Sequence, residues 1–260
     1  AEPVRHTGIL LPVPDRELPL ITGAVVDDPD LNWKEHPEPW RGAHKMLVES
    51  HIQCDLLYSL FATDLQTFPL LILPEPGAYS AADWERLETY VKNGGILIAT
   101  GNSILSEGRG MQEEMFGIHY IEPLSFQVAH FTPHDPVRGE CAELPLQFRG
   151  AVNKVVATTA TPLADLWYPV GETQPPVKGF RHPCPPAAKS PSPYPFATIN
   201  SYGNGTAVYV AGSIFRAYWQ TNHHWLRQFM DALIRTVAPP QPVEVAASSR
   251  IEVNMMAGDN

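Results

Sequence analysis

The stretch "LLILPEPGAYSAADWERLETYVKNGGILIAT", residues 70–100, constrains the fold more than any other part of the chain. It opens on an unbroken apolar run, as a strand covered on both faces does. Ser80 stands where an N-cap belongs, with Asp83 three residues on, a shorter relative of the capping box. Trp84, Leu87 and Val91 then recur at i, i+3 and i+7, while Asp83, Glu85, Arg86 and Glu88 face away, so the spacing predicts an amphipathic helix. Asn93, Gly94 and Gly95 supply a left-handed stop, and "ILIAT" (96–100) is a second buried strand. A strand, a helix and a strand of these lengths make a crossover between parallel neighbours.

The rest of the chain continues the alternation. "TGILLPV" (7–13) predicts a first strand, and "DDPDLNWKEHPEPW" a polar, aromatic loop. "WRGAHKMLVESHI" (40–52) predicts a helix, and "DLLYSL" (55–60) and "PLLILP" (69–74) predict strands. "GMQEEMFGI" (110–118) suits a short helix, and "VNKVVATTATPLADLWYPVG" (152–171) a strand or hairpin. Residues 172–197 are so rich in proline that a long irregular surface loop is expected there. "PFATINSYGNGTAVYVAGSIF" (195–215) reads as two strands turned at Gly203-Asn204-Gly205. "TNHHWLRQFMDALIRTVAP" (221–239) predicts a final helix, with Trp225, Phe229, Leu233 and Val237 at four-residue steps. "VEVAASSRIEV" alternates like a strand of a following unit. The start at Ala1 and the strand-like close suit a segment of a longer or processed polypeptide, divided into a main unit at 1–240 and a tail or following β unit at 241–260.

Composition narrows the function classes. With 44% apolar and 18% charged residues, 260 residues suffice for a packed core. A net charge of −10 with no local basic cluster opposes a nucleic-acid partner, because phosphate binding needs a basic surface. No apolar run is long enough for a transmembrane helix, and no signal peptide is visible, so a cytoplasmic location is expected. The three cysteines, Cys54, Cys141 and Cys184, are neither paired in number nor spaced for zinc.

Three segments, "GAHKMLVESHIQCDLL" (42–57), "LLILPEPGAYSAADWERLETYVKNGGILIATGNS" (70–103) and "GNGTAVYVAGSIFRAYWQTNHHWLRQFMDALIRTVAP" (203–239), together resemble the class I glutamine amidotransferase-like fold. More narrowly, they resemble the trimerisation (middle) domain that follows the catalytic barrel in trimeric-type β-galactosidases and related glycoside hydrolases. The resemblance implies an α/β fold, three-layered and flavodoxin-like, with a mainly parallel central sheet. It implies no cofactor, a homo-oligomer (a trimer favoured), and carbohydrate handled by a barrel elsewhere in the parent protein. The segment after "GNS" is shorter than the acidic, aromatic stretch of many relatives.

In amidotransferases of this fold a cysteine sits on the turn after the strand matching "ILIAT". Here the matching turn carries Gly101, Asn102 and Ser103, a degenerate nucleophile elbow. Ser103 is a weak catalytic candidate, since serine needs a histidine base within about 3 Å and the Gly-x-Ser-x-Gly pattern is missing; turn formation or capping is the plainer role. His130, His134 and Asp135 in "HFTPHD" could hold a metal on a helix, but Pro133 favours a loop or strand end, and no metal site is expected. His223 and His224 open the last predicted helix, and His44 and His51 lie seven apart on similar helix faces. Asp27, Asp28, Asp30, Glu35 and Glu38 share a loop with Trp33 and Trp40. That loop could face sugar, contact a neighbouring subunit, or simply be solvated. No phosphate-binding glycine loop is present.

The leading expectation is a non-catalytic accessory or oligomerisation domain of a β-galactosidase-like glycoside hydrolase. The alternatives are a stand-alone hydrolase or amidase using Ser103, and a carbohydrate-binding module using Trp33 and Trp40.

Overall fold

The computed structural model describes residues 2–11, 38–61, 63–75, 79–106, 110–124, 128–170 and 187–258. Its centre is a nine-stranded sheet. Chain order gives β1 (Thr7–Leu10), α1 (Glu38–Glu49), β2 (Cys54–Leu57), β3 (Leu70–Leu73), α2 (Ala81–Lys92) and β4 (Ile96–Thr100). After the turn come α3 (Glu113–Phe116), β5 (Ile118–Pro123), β6 (Val128–Pro133), β7 (Leu146–Arg149), β8 (Asn153–Ala157) and β9 (Thr161–Pro169). The chain closes with β10 (Ala188–Tyr202), β11 (Gly205–Val210), α4 (Ile214–Thr221) and α5 (His224–Val237).

Across the sheet the order is β7-β6-β9-β10-β11-β4-β3-β1-β2. The strands β11, β4, β3, β1 and β2 pair in parallel, in the order 2-1-3-4-5 of a flavodoxin-like sheet. The antiparallel strands β10, β9, β6 and β7 extend it as a wing. The α/β, flavodoxin-like expectation therefore holds. Because β1→β2 and β3→β4 leave in opposite directions, right-handed crossovers place α1 and α2 on opposite faces. That sandwiching explains why Leu70, Leu71, Ile72 and Leu73 are all 0% exposed.

The crossover forms as its sequence specifies. Ser80 Oγ accepts the Asp83 N–H at 3.2 Å, and Asp83 Oδ2 accepts the Ser80 N–H at 2.8 Å, closing a capping box. Trp84, Leu87 and Val91 are buried, and so is Tyr90, whose hydroxyl donates to the Phe68 carbonyl at 3.0 Å. Gly203 and Asn204 turn β10 into β11. Gly205 has no room for a side chain, since a Cβ there would lie 2.1 Å from the Val91 carbonyl oxygen and 2.3 Å from that of Gly95.

Several expectations are corrected. The proline-rich loop expected over 172–197 gives way to strand β10 from Ala188 onward, including Pro191, Pro193 and Pro195; residues 171–186 lie outside the described residues. Proline cannot donate to a ladder, and the pairing of β10 with β9 is broken by register shifts along its length. Residues 152–170 form strands but no hairpin: β8 pairs with β5, while β9 joins the main sheet. The strand expected to reach Phe215 ends at Val210, and Ile214 starts α4. In α5 the buried stripe is Leu226, Phe229, Met230, Leu233 and Ile234, with Trp225 and Val237 only partly buried. Steps of four drift around a 3.6-residue helix, so alternating steps of three and four define its inner face. Residues 243–253 form no strand, although Met256–Ala257 pair with Glu2–Pro3. The tail returns to the main unit, where Gln241 Oε1 accepts the Gln53 N–H at 3.1 Å.

α1, α4 and α5 pack as a group. Tyr218 hydrogen-bonds Glu49, Lys45 pairs with Glu49, and Arg227 Nη1 donates to the Glu49 carbonyl at 3.0 Å. Beneath α5, Phe131 and Phe196 stack at 4.1 Å, flanked by Phe229 and Phe148, which gives the wing its core. No described helix is long and apolar enough to cross a membrane.

Candidate functional site

In an open α/β sheet the crevice for ligands lies beyond the carboxyl ends of the strands, where the strand order reverses. Here that point falls between β1 and β3, and the elbow after β4 stands beside it. Glu75, two residues past β3, is 5% exposed. Its Oε2 accepts the Asn102 N–H at 3.2 Å, and the Ser213 hydroxyl bonds the same carboxyl group. Oε1 has no hydrogen-bond partner among the described residues. Burial pushes the Glu75 carboxyl above its ordinary value, and the Ser213 hydroxyl, the Asn102 N–H and the Arg216 charge oppose that rise.

The elbow is built around this carboxyl group. Gly101 adopts φ 51°, and a Cβ there would lie 2.1 Å from Glu75 Oε2, so both conformation and space require glycine. Asn102 is exposed, and its Oδ1 accepts from Asn153 Nδ2 at 3.0 Å. Asn153 Nδ2 also donates to Tyr209 Oη at 2.9 Å, and that hydroxyl donates to the Gly101 carbonyl at 2.9 Å. Ser103 is 0% exposed and turns inward, where its Oγ accepts the Thr100 N–H at 2.9 Å. Among the described residues no histidine hydrogen-bonds Ser103.

The other candidates are dispersed. Trp40 lies in the first turn of α1, half-buried, with the Arg41 guanidinium 5.3 Å from its ring centre. Trp33, Asp27, Asp28, Asp30 and Glu35 lie outside the described residues, and Glu38 begins α1. His130 is buried in β6, where desolvation lowers its pKa, and His134, just past the strand, pairs with Asp165 at 2.9 Å. No group of three or more possible metal ligands occurs among the described residues. His223 caps α5 without a side-chain bond, and its ring stacks on that of His224. His51 is not on α1 with His44: the helix ends at Glu49, and His51 follows in a left-handed conformation with φ 56°.

Sequence reasoning missed Glu75, Asn153, Tyr209 and Ser213. Only Glu75 carried a local signal, as an acid immediately past a buried parallel strand. The other three reach the elbow from 51 residues or more away along the chain.

No protein-family model and no curated protein matches the chain. Solved structures do. The α-L-fucosidase isoenzyme 2 of Paenibacillus thiaminolyticus matches with a TM-score of 0.68 and 21% identity over 90% of this chain and 33% of that one. A GH42 β-galactosidase of G. stearothermophilus matches with a TM-score of 0.60 and 19% identity over 90% of this chain and 30% of that one. A protein described as ThuA-like, from Bacteroides uniformis, matches with a TM-score of 0.61 and 11% identity over 91% of this chain and 92% of that one. This chain shares its fold with a segment spanning 33% of the fucosidase and 30% of the β-galactosidase, as the sequence resemblance implied.

Proposed function

We propose that the chain is a non-catalytic accessory domain of a β-galactosidase-like glycoside hydrolase. It packs subunits around a catalytic barrel outside these 260 residues. The observation that carries this reading is the match of 90% of the chain to a minor part of two larger enzymes, one a fucosidase and one a β-galactosidase. The elbow supports it: Asn102 occupies the outward position, and the Ser103 hydroxyl is engaged by a backbone N–H inside. In this reading carbohydrate meets the parent protein through the barrel, the assembly is a trimer and the location is cytoplasmic. The division at 1–240 and 241–260 marks the passage to a following β unit or to a C-terminal tail. Light scattering tests the assembly: a trimer is expected, and a strict monomer up to high concentration removes the oligomerisation role. Nitrophenyl glycosides test the chemistry, with no turnover expected from this chain alone.

A second reading, a stand-alone hydrolase or amidase, is favoured by the ThuA-like protein, which is matched over nearly its whole length. Loss of an ester- or amide-cleaving activity in Ser103→Ala, with the fold intact, selects it over the first.

A further inference from the structure

We propose that the edge of the wing carries a small-anion site: a half-open cavity between β7 and the α4–α5 corner takes the carboxylate of a compact organic monoacid. The cavity measures about 210 Å³ and is lined by Gln147, Arg149, Thr221, His223 and Leu226. β7 is the outermost strand of the sheet, so the cavity lies at the sheet's edge. At roughly 30 Å³ per water it has room for about seven waters, enough for a small ring with one acid group. None of these residues belongs to the elbow.

Local bonds set the corner. α4 closes on Asn222, which is left-handed at φ 50° and donates its N–H to the Tyr218 carbonyl at 2.8 Å. Asparagine is one of the few residues that take this conformation readily. Thr221 Oγ1 donates to the Ala217 carbonyl at 2.7 Å and accepts the His223 N–H at 3.3 Å. Those bonds occupy the threonine hydroxyl and hold His223 at the cavity wall. The His223 ring keeps a buried Nδ1 without a hydrogen-bond partner among the described residues.

Arg149 supplies the charge. It is exposed and, among the described residues, has no hydrogen bond or ion pair. The guanidinium groups of Arg86, Arg138, Arg227 and Arg235 are by contrast each tied to a carbonyl or a carboxylate. None of the described lining residues is acidic, and the first turn of α5 brings no acid to compete. Burial, with the neighbouring His224, holds the His223 ring below the ordinary histidine value, so it enters as a neutral group. The lining therefore carries the charge of one guanidinium. A planar carboxylate meets that fork through two parallel hydrogen bonds and balances its single charge. A phosphate dianion would leave one negative charge uncompensated. Leu226, 1% exposed, gives the body of the acid an apolar wall.

Benzoate and benzamide have the same shape and differ in charge, so amide and side-chain NMR titrations of the full chain with each test the site. Signals of Arg149 and His223 should move with benzoate, which should bind about tenfold more tightly than benzamide. Arg149→Met keeps the apolar stem of an exposed residue and should abolish that preference, while Arg149→Lys should restore part of it. Equal binding of the two probes overturns the proposal, and so does a preference that survives in Arg149→Met. Inorganic phosphate that binds as tightly as benzoate overturns the carboxylate class. Signals that stay still at about 20 mM benzoate, which fills a site of millimolar Kd, overturn the site itself.

Discussion

β3 is buried at all four positions, whereas the first seven residues of β10 alternate between half-buried and exposed. Both strands belong to one sheet, yet their surroundings differ. The parallel strands lie between α1 and α2, so each residue meets a helix on whichever face it points to. The wing is covered by α5 through the Phe131–Phe196–Phe229 cluster. Two-sided cover selects continuous aliphatic runs, and one-sided cover selects alternation. The same difference separates the readable from the unreadable parts of the sequence, because a run such as "LLIL" signals itself and a proline-bearing alternation does not.

The comparison can be broken at the wing first. Phe196→Ala removes a ring that is 0% exposed and touches three others, with an expected loss of about 3–5 kcal/mol in denaturant unfolding. A single transition in that variant shows the wing and the parallel strands unfolding together, and two transitions show the wing as a separate cooperative unit. At the junction, Gly205→Ala forces a Cβ onto the Val91 and Gly95 carbonyls. A loss of about 3 kcal/mol is expected, with a slower-forming hairpin in refolding.

Smaller changes sharpen the parallel side. Ser103→Ala leaves the buried Thr100 N–H without its acceptor, an expected loss of about 2 kcal/mol in the same assay. Ser80→Ala opens the capping box and should lower stability by about 1 kcal/mol. The two regions should also answer pH in opposite senses. His130 in the wing is held neutral by burial, and its folded-state pKa is lowered. Its contribution is present above the ordinary histidine value of about 6.5 and fades as pH falls. His130→Gln should therefore flatten the acidic limb of the melting profile and leave in place the loss on the other side of it, where the raised Glu75 carboxyl group ionises.

Parts of the candidate site were legible for the same reason as the parallel strands. The elbow lies at the end of "ILIAT", and its Gly101-Asn102-Ser103 composition follows from position along one crossover. What surrounds the elbow was not legible. Asn153 and Tyr209 arrive from β8 and β11, and Ser213 precedes α4, at separations that no local pattern encodes. The α5 stripe shows a milder case. Trp225 and Val237 fit a four-residue step, but only packing against the wing chose Leu226, Met230 and Ile234 as the inner face.

By itself the sequence determined the crossover, its caps, the hairpin turn and the continuous strands, because these rest on contacts a few residues apart and on patterns of burial that leave a period. Only the tertiary structure decided that a proline-rich stretch joins the sheet as β10, that Ser103 turns inward, and that Glu75 sits buried beneath the elbow. Each of those depends on where distant segments meet. The free energy of a strand edge, a hydroxyl or a carboxyl group is set by its neighbours in space, and those neighbours exist only once the chain has folded.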